Sequence, residues 1–261
     1  MKTNYHTHTT RCMHAVGSDE EYVLSVIKGG FQILGFSDHT PWKYRTSYVA
    51  DMRMLPEELP EYIESLQYLR EKYRDQIDIK IGLECEYFPE YIPWLKEQIK
   101  KYQLNYILFG NHHFHTDEKF PYFGHHTNNR DMLDLYEESA IEGMESGLYN
   151  CLAHPDLFMR SYPKFDHHCA TISRHICRTA ARLNIPLEYN IGYVAYNEEH
   201  GLNTYPCPNF WHIAANEGCT AIIGMDAHNN NDLEVPIYYE RALQELKELK
   251  IKTTDTLKMM Y

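Results

Sequence analysis

Asn4-Tyr5-His6-Thr7-His8, followed six residues later by His14, opens the chain with two imidazoles at i and i+2. Residues two apart on an extended strand point to the same face, which brings His6 and His8 within reach of one metal ion. Alone, such a pair is equally well two solvent-exposed histidines at a frayed terminus. Five later segments repeat the pattern, each ending a short apolar run with a metal-type ligand: SDH at 37–39, GLECE at 82–86, GNHH at 110–113, AHPD at 153–156 and GMDAH at 224–228. In a parallel barrel the functional side chains sit at the C-terminal ends of the strands, so this repetition points to a parallel α/β fold with its site on one face.

Working outward, strands are expected near 3–8, 33–37, 79–85, 105–111, 150–154, 187–191 and 220–226. Helices are expected near 19–30, 56–75, 91–103, 130–147, 166–184, 208–218 and 235–250. Seven strands alternating with seven helices describe a parallel sheet. Ser18 and Glu21 have capping-box spacing, and Gly29-Gly30 stops that first helix. Pro56 suits the first turn of the next, where Leu59, Ile63, Leu66 and Leu69 recur at helical spacing. Asp166 is an N-cap candidate, and Pro236 opens a last helix with Ala242, Leu246 and Leu249 on one face. The longer aromatic-rich loops at 40–55, 113–130 and 193–209 read as rims of a pocket, with packing as the competing role. Residues 251–261 carry no pattern. With no linker or internal repeat, 1–261 reads as a single domain.

The 261 residues suffice for a sizeable core. The formal net charge of −12 disfavours nucleic acid and anionic membranes as partners. An anionic substrate needs local positive charge, which bound metals supply. Seven cysteines without a CxxC pair indicate reduced thiols and a cytoplasmic setting. The first residues hold no apolar h-region, and no run of about 18 apolar residues suggests a membrane span. The sequence carries no signal for an oligomeric state.

Imidazole and carboxylate ligands without a thiolate cluster suit Zn, Mn or Fe. Seven histidines and two carboxylates exceed what one ion uses, and a carboxylate such as Glu84 can bridge two. These motifs, HTH with His14, GFSDHTP at 35–41, GLE at 82–84, AHPD and GMDAH, resemble the PHP (polymerase and histidinol phosphatase) phosphoesterases, most closely the histidinol-phosphate phosphatases, from residue 4 to about residue 250. The resemblance implies a distorted (β/α)7 TIM-like barrel with three divalent transition metals at the C-terminal ends of the strands. It assigns His6, His8, Glu84 and Asp226 to one metal. Glu84, His112 and His154 go to a second, with Glu84 bridging, and His14, His39 and His228 to a third. Two choices stay open: His112 or His113, where counting from the strand start at Asn105 favours His112 and alternation turns His113 away, and Glu84 or Glu86, where the match to Gly-x-Glu favours Glu84.

The implied reaction is hydrolysis of L-histidinol phosphate, a small phosphomonoester of histidine biosynthesis, by in-line attack of a metal-bridging hydroxide. Arg160 and Asp38 are the catalytic candidates. Arg160 follows the AHPD segment and can grip phosphate with its planar fork; the competing reading is a solvated loop arginine, with Arg130 and Arg45 next in line. Asp38, like Asp156, adjoins a ligand histidine, where orienting the ring competes with chemistry. His125, His126, His167, His168, His175, His200 and His212 lack motif support and read as surface or packing residues. The rival functions are a related nucleotide phosphatase or phosphodiesterase, and a non-catalytic PHP metal-binding module.

Overall fold

The computed structural model describes residues 1–202, 204–235 and 237–261. Strands β1 (Thr3–Asn4), β2 (Ile33–Phe36), β3 (Asp78–Cys85), β4 (Tyr106–Gly110), β5 (Cys151–Ala153), β6 (Leu187–Asn190), β7 (Thr220–Gly224) and β8 (Lys252–Thr253) form one sheet in sequential order, every neighbouring pair parallel. Parallel neighbours need crossover connections. These are built from helices α1 (Asp19–Lys28), α2 (Leu59–Lys72), α3 (Ile92–Tyr102), α4 (Phe123–His126), α5 (Arg130–Glu145), α6 (His167–Leu183), α7 (Val194–His200), α8 (Pro208–Asn216) and α9 (Ile237–Glu248). Strands β2, β4, β5 and β6 are buried at every residue. Parallel strands covered on both faces read as continuous apolar runs, which is how most of them appear in the sequence.

The sheet curls until its ends meet. Past β1 and β7, Thr7 pairs with Ala227 in parallel, His8 N donating to Ala227 O at 3.0 Å and Ala227 N to His6 O at 3.1 Å. The Asn4 side chain ties the same seam, accepting from Met225 N at 2.9 Å and donating to Thr7 Oγ1 at 2.8 Å. At the other end β8 lies along β7, and Thr3 Oγ1 donates to Asp255 O just beyond it. Seven strands are expected from the sequence and eight are present among the described residues. The eighth is a two-residue exposed strand from 251–261, too short to show alternation. Tyr5, Ile33, Tyr106, Leu108, Cys151, Ala153, Ile222 and Leu257 pack as one cluster, separate from the larger core between strands and helices.

Local signals place most helix ends. Ser18 N donates to Glu21 Oε2 at 2.7 Å and Glu21 N to Ser18 Oγ at 3.3 Å, a reciprocal capping box. Replacing such a cap by alanine costs about 1 kcal/mol. Ser18→Ala is therefore expected to lower the urea midpoint at unchanged m-value; an unshifted midpoint would show that the box contributes nothing. Asp166 caps α6 by accepting from Cys169 N at 2.9 Å. Pro56 does not open α2, which starts at Leu59 with Pro60 in its first turn. Either proline satisfies the rule that the first turn needs no N–H, and residues 56–58 form a turn ahead of the helix. Pro236 lies outside the described residues. Helices α4 and α7 occupy parts of the loops at 113–130 and 193–209. All seven cysteines are buried and unpaired. Among the described residues no helix is long and apolar enough to cross a membrane.

Candidate active site

The residues at the C-terminal strand ends converge in three groups. In the first, His6 Nε2 and His8 Nε2 are 3.1 Å apart, Asp226 Oδ1 lies 3.3 and 3.2 Å from them, and Glu84 Oε2 3.5 and 3.6 Å. In the second, Glu84 Oε1 is 3.3 Å from His112 Nε2 and 2.9 Å from His154 Nε2, with 3.3 Å between the two rings' nitrogens. In the third, the rings of His14, His39 and His228 pack with centroids 4.6–6.4 Å apart. His39 Nδ1 stands 3.0 Å from Glu84 Oε2 without hydrogen-bonding geometry. Of the adjacent pair, His112 is the one that faces Glu84. His113 turns its Nδ1 to Phe120 O at 2.9 Å.

Can these groups hold ions? Ligands 2.0–2.1 Å from a tetrahedral metal sit roughly 3.3 Å from one another, close to the separations in the first two groups. In the third, His228 Nε2 and His39 Nδ1 are buried without a hydrogen-bond partner, an arrangement that is costly unless something else satisfies them. The electrostatics agree. Burial pushes the Glu84 carboxyl up, but His112 and His6 outweigh it and hold it well below the usual range. Asp226 is held down likewise, burial being outweighed by His6 and His8. Burial opposes charge on His8 and His112, yet neighbouring carboxylates push them up to about 9 and about 10. Burial and the charge on His8 push His39 and His228 down to about 3. A site so rich in carboxylates attracts cations, and ion binding there displaces protons.

Four of the seven rings are oriented from behind, which sets the nitrogen left to face the cluster. His6 Nδ1 meets Glu188 Oε1 at 2.8 Å, His112 Nδ1 meets Glu86 Oε1 at 3.0 Å, His14 Nδ1 meets Cys12 O at 2.7 Å and His228 Nδ1 meets Asp226 O at 3.0 Å. Asp38 is fully buried, 3.5 Å from His8 Nδ1, and accepts from His39 N, from Thr9 N and from the Thr9 hydroxyl. It does not line the cavity, so its position favours ring orientation over contact with substrate.

Backbone conformation matters too. Asp226 and His228 are expected as an i, i+2 strand pair, but β7 ends at Gly224 and Asp226 is left-handed, with φ 47°; His154 has φ 28°. Such values are strained for side-chain-bearing residues and concentrate at functional sites. Two motif glycines make room for carboxylates. A Cβ on Gly110 would lie 2.5 Å from Glu84 Oε1, and one on Gly224 1.8 Å from Glu188 Oε1.

Glu188 is absent from the motif reading. Its other oxygen accepts from His154 N at 3.1 Å and Asn190 Nδ2 at 2.8 Å, and Asn190 Nδ2 also reaches Asp226 Oδ2. The available signal was the i, i+2 polar pair Glu188/Asn190 inside the otherwise apolar run at 187–191.

A cavity of about 410 Å3 opens over the cluster, lined by His14, His39, Glu84, His112, His154, Asp226 and His228. The rest of its wall comes from the three expected rims: Met52; Tyr122; and Tyr193 and Tyr205 with Gly192. Arg160 completes it, its guanidinium 4.5 Å from the Tyr193 ring centre and 6.0 Å from that of Tyr122. Among the described residues no other arginine or lysine lines this cavity. Arg45 is exposed and paired with Glu90, and Arg130 is exposed at the start of α5.

The model of the PHP domain matches residues 4–192, nearly three-quarters of the chain, from the last residue of β1 through β6. The chain belongs to the PHP domain family. The PHP match holds seven of the nine clustered residues. Asp226 and His228 lie beyond it, brought in by β7. Across 259 residues, 95% of this chain and 94% of the relative, it is 28% identical to a probable histidinol-phosphatase of Deinococcus radiodurans. A stretch of 96 residues, 34% of this chain and 35% of the relative, is 31% identical to the histidinol-phosphatase of Bacillus subtilis. The histidinol phosphate phosphatase of Lactococcus lactis, solved in complex with Zn, L-histidinol and phosphate, matches with a TM-score of 0.75 at 19% identity, covering 100% of this chain and 99% of that one. At that identity the likeness is one of fold.

Proposed function

We propose that this protein is a metal-dependent phosphomonoesterase that hydrolyses L-histidinol phosphate to L-histidinol and phosphate, a step of histidine biosynthesis. The observation that carries this reading is the convergence of seven imidazoles and two carboxylates in one cluster, of which five imidazoles and both carboxylates line a cavity whose wall also holds Arg160. It is supported by the full-length similarity to a probable histidinol-phosphatase, and by the fold shared with an enzyme solved with Zn, L-histidinol and phosphate.

In this proposal three divalent ions, drawn from Zn, Mn and Fe, are held as the motifs imply. His6, His8, Glu84 and Asp226 hold the first, Glu84, His112 and His154 the second, and His14, His39 and His228 the third. When bound, the ions supply positive charge and Lewis acidity for transfer of the phosphoryl group to water. The sheet is then a distorted (β/α)7 barrel carrying β8 as an addition, and residues 1–261 form one domain.

The chain's own residues bind and orient. Glu188, Glu86 and Asp38 hold the rings of His6, His112 and His8 from behind. Arg160 grips a phosphoryl oxygen turned away from the ions. Tyr122, Tyr193 and Tyr205 enclose the alcohol portion and limit water, which strengthens every charge interaction within the site. The test is a screen of phosphomonoesters with metal-loaded protein, metal content measured alongside. L-Histidinol phosphate is expected to give the highest kcat/KM. Faster turnover of 3′,5′-bisphosphonucleotides or cyclic dinucleotides would transfer the assignment to the nucleotide-directed alternative, and no turnover of any ester would leave a metal-binding module.

A further inference from the structure

Behind the cluster, between the 40–55 rim and the end of β3, lies a buried charge network of which only Glu86 falls within a ligand motif. Arg53 is 2% exposed and Glu86 1%. Arg53 Nη1 donates to Glu86 Oε2 at 3.0 Å and to Thr40 O at 3.0 Å. Its Nη2 donates to Glu86 Oε1 at 3.1 Å and to Asp117 Oδ2 at 2.9 Å. Trp42 Nε1 donates to Glu86 Oε2 at 2.7 Å, and the Tyr44 hydroxyl reaches both oxygens of Asp117. The remaining contact of Glu86 runs inward, from Oε1 to His112 Nδ1 at 3.0 Å, while His112 Nε2 faces Glu84 Oε1.

We propose that Arg53 is a positioning residue for the metal cluster, acting through Glu86 to fix the ring plane and tautomer of His112. This rests on the metal-dependent reading above. An acceptor oxygen held at Nδ1 requires the proton there and leaves the Nε2 lone pair facing Glu84 and His154. Glu86 can hold that oxygen in place only if its own carboxylate cannot rotate. A bidentate guanidinium fork fixes a carboxylate plane in a way a single ammonium does not. Trp42 alone touches one oxygen and leaves rotation free. Burying this many charges is unfavourable on its own, and such networks are best understood where they specify a geometry. Arg53 also adjoins Met52, which lines the cavity, so the same side chain fastens the 40–55 rim to the strand end that carries Glu84.

The full-length protein, stripped and reloaded with zinc alone, supplies the test. Zinc affinity is measured against a chromogenic chelator in wild type, Arg53→Met, Arg53→Lys, Glu86→Gln and the double variant Arg53→Met/Glu86→Gln. The His112 Nδ1 proton resonance of the zinc-loaded forms is followed by NMR. Losing a partner of a ligating histidine typically weakens metal affinity about 10- to 100-fold. Arg53→Met is expected to fall in that range with a shifted or broadened His112 resonance, and Arg53→Lys to recover part of the affinity. The double variant is expected to be no weaker than Glu86→Gln, because residues acting in series are not additive. Wild-type affinity and an unmoved resonance in Arg53→Met, with only the melting temperature lowered, would overturn the proposal in favour of a packing role. Additive losses in the double variant would overturn the route through Glu86. Should Arg53→Met fail to fold, Arg53→Lys decides alone, unchanged affinity and resonance counting against the proposal. A wild-type chain that binds no zinc would instead sink the metal-dependent reading itself.

Discussion

Glu84→Gln is expected to lower kcat/KM for L-histidinol phosphate by about 10³-fold, the largest loss of any single substitution in the cluster. One oxygen of Glu84 faces His112 and His154, and the other faces His6, His8 and His39 at 3.0–3.6 Å. The substitution keeps the shape but puts an NH2 donor where one of those groups needs an acceptor, and it removes the negative charge that both sets of imidazoles face. Removing one preorganised electrostatic group from an active site costs about 10²–10³ in rate. Glu84 serves two groups at once, which puts its loss at the upper end. Glu86→Gln touches the cluster only through His112 and is expected to cost about 10- to 100-fold. Steady-state kinetics and elemental analysis check both together, with up to three equivalents of metal in wild type and fewer in Glu84→Gln. Equal losses, or the reverse order, would make Glu86 the bridging carboxylate.

Arg160→Met is expected to reduce kcat/KM by about 10- to 100-fold while leaving metal content unchanged. A phosphomonoester dianion presents more oxygens than the ions can reach, and the chain's net charge of −12 offers that oxygen nothing by default. Arg160 lies in the short 3₁₀ turn Leu157–Arg160 that follows the strand carrying His154. It lies over the rings of Tyr193 and Tyr122, and burial, which opposes its charge, is outweighed by the neighbouring Tyr122, Tyr205 and Tyr193. The guanidinium therefore faces the cavity with its donors available to an anion. A hydrogen bond to a charged group contributes about 1.5–3 kcal/mol, which converts to that range in kcat/KM. Arg160→Lys keeps the charge without the fork and is expected to recover part. Wild-type kinetics in Arg160→Met would reduce this residue to a stacking partner of Tyr193.

Much of this was legible because it is local. The direction of a side chain on a strand, the cap of a helix and the ligand that follows an apolar run are each decided within a few residues. Thus His6/His8, the Ser18–Glu21 box, the Asp166 cap and the first seven strands could be read before any contact was known. Counting along the 105–113 run even selected His112 over His113, because alternation turns one of two neighbouring rings away. The placement of Arg160 beside the cluster followed from its distance past a strand end.

What only the tertiary structure decided is who stands behind each ring and what closes the sheet. His6 meets Glu188 across 182 residues, and Glu86 meets Arg53 across 33. No periodicity links such pairs, since they become neighbours only when strand order and register are set. Asp226 points into the cluster through a left-handed backbone, uncommon for a residue with a Cβ, beside Gly192 and with its carboxylate accepting from Asn190 Nδ2. β8 has two residues, too few to carry a pattern, and exists because the edge of β7 is there to pair with it. The amino-acid sequence determined which chemical groups end each strand. The curl of the sheet determined their distances, because bringing β1 against β7 is what turns nine separated side chains into one cluster.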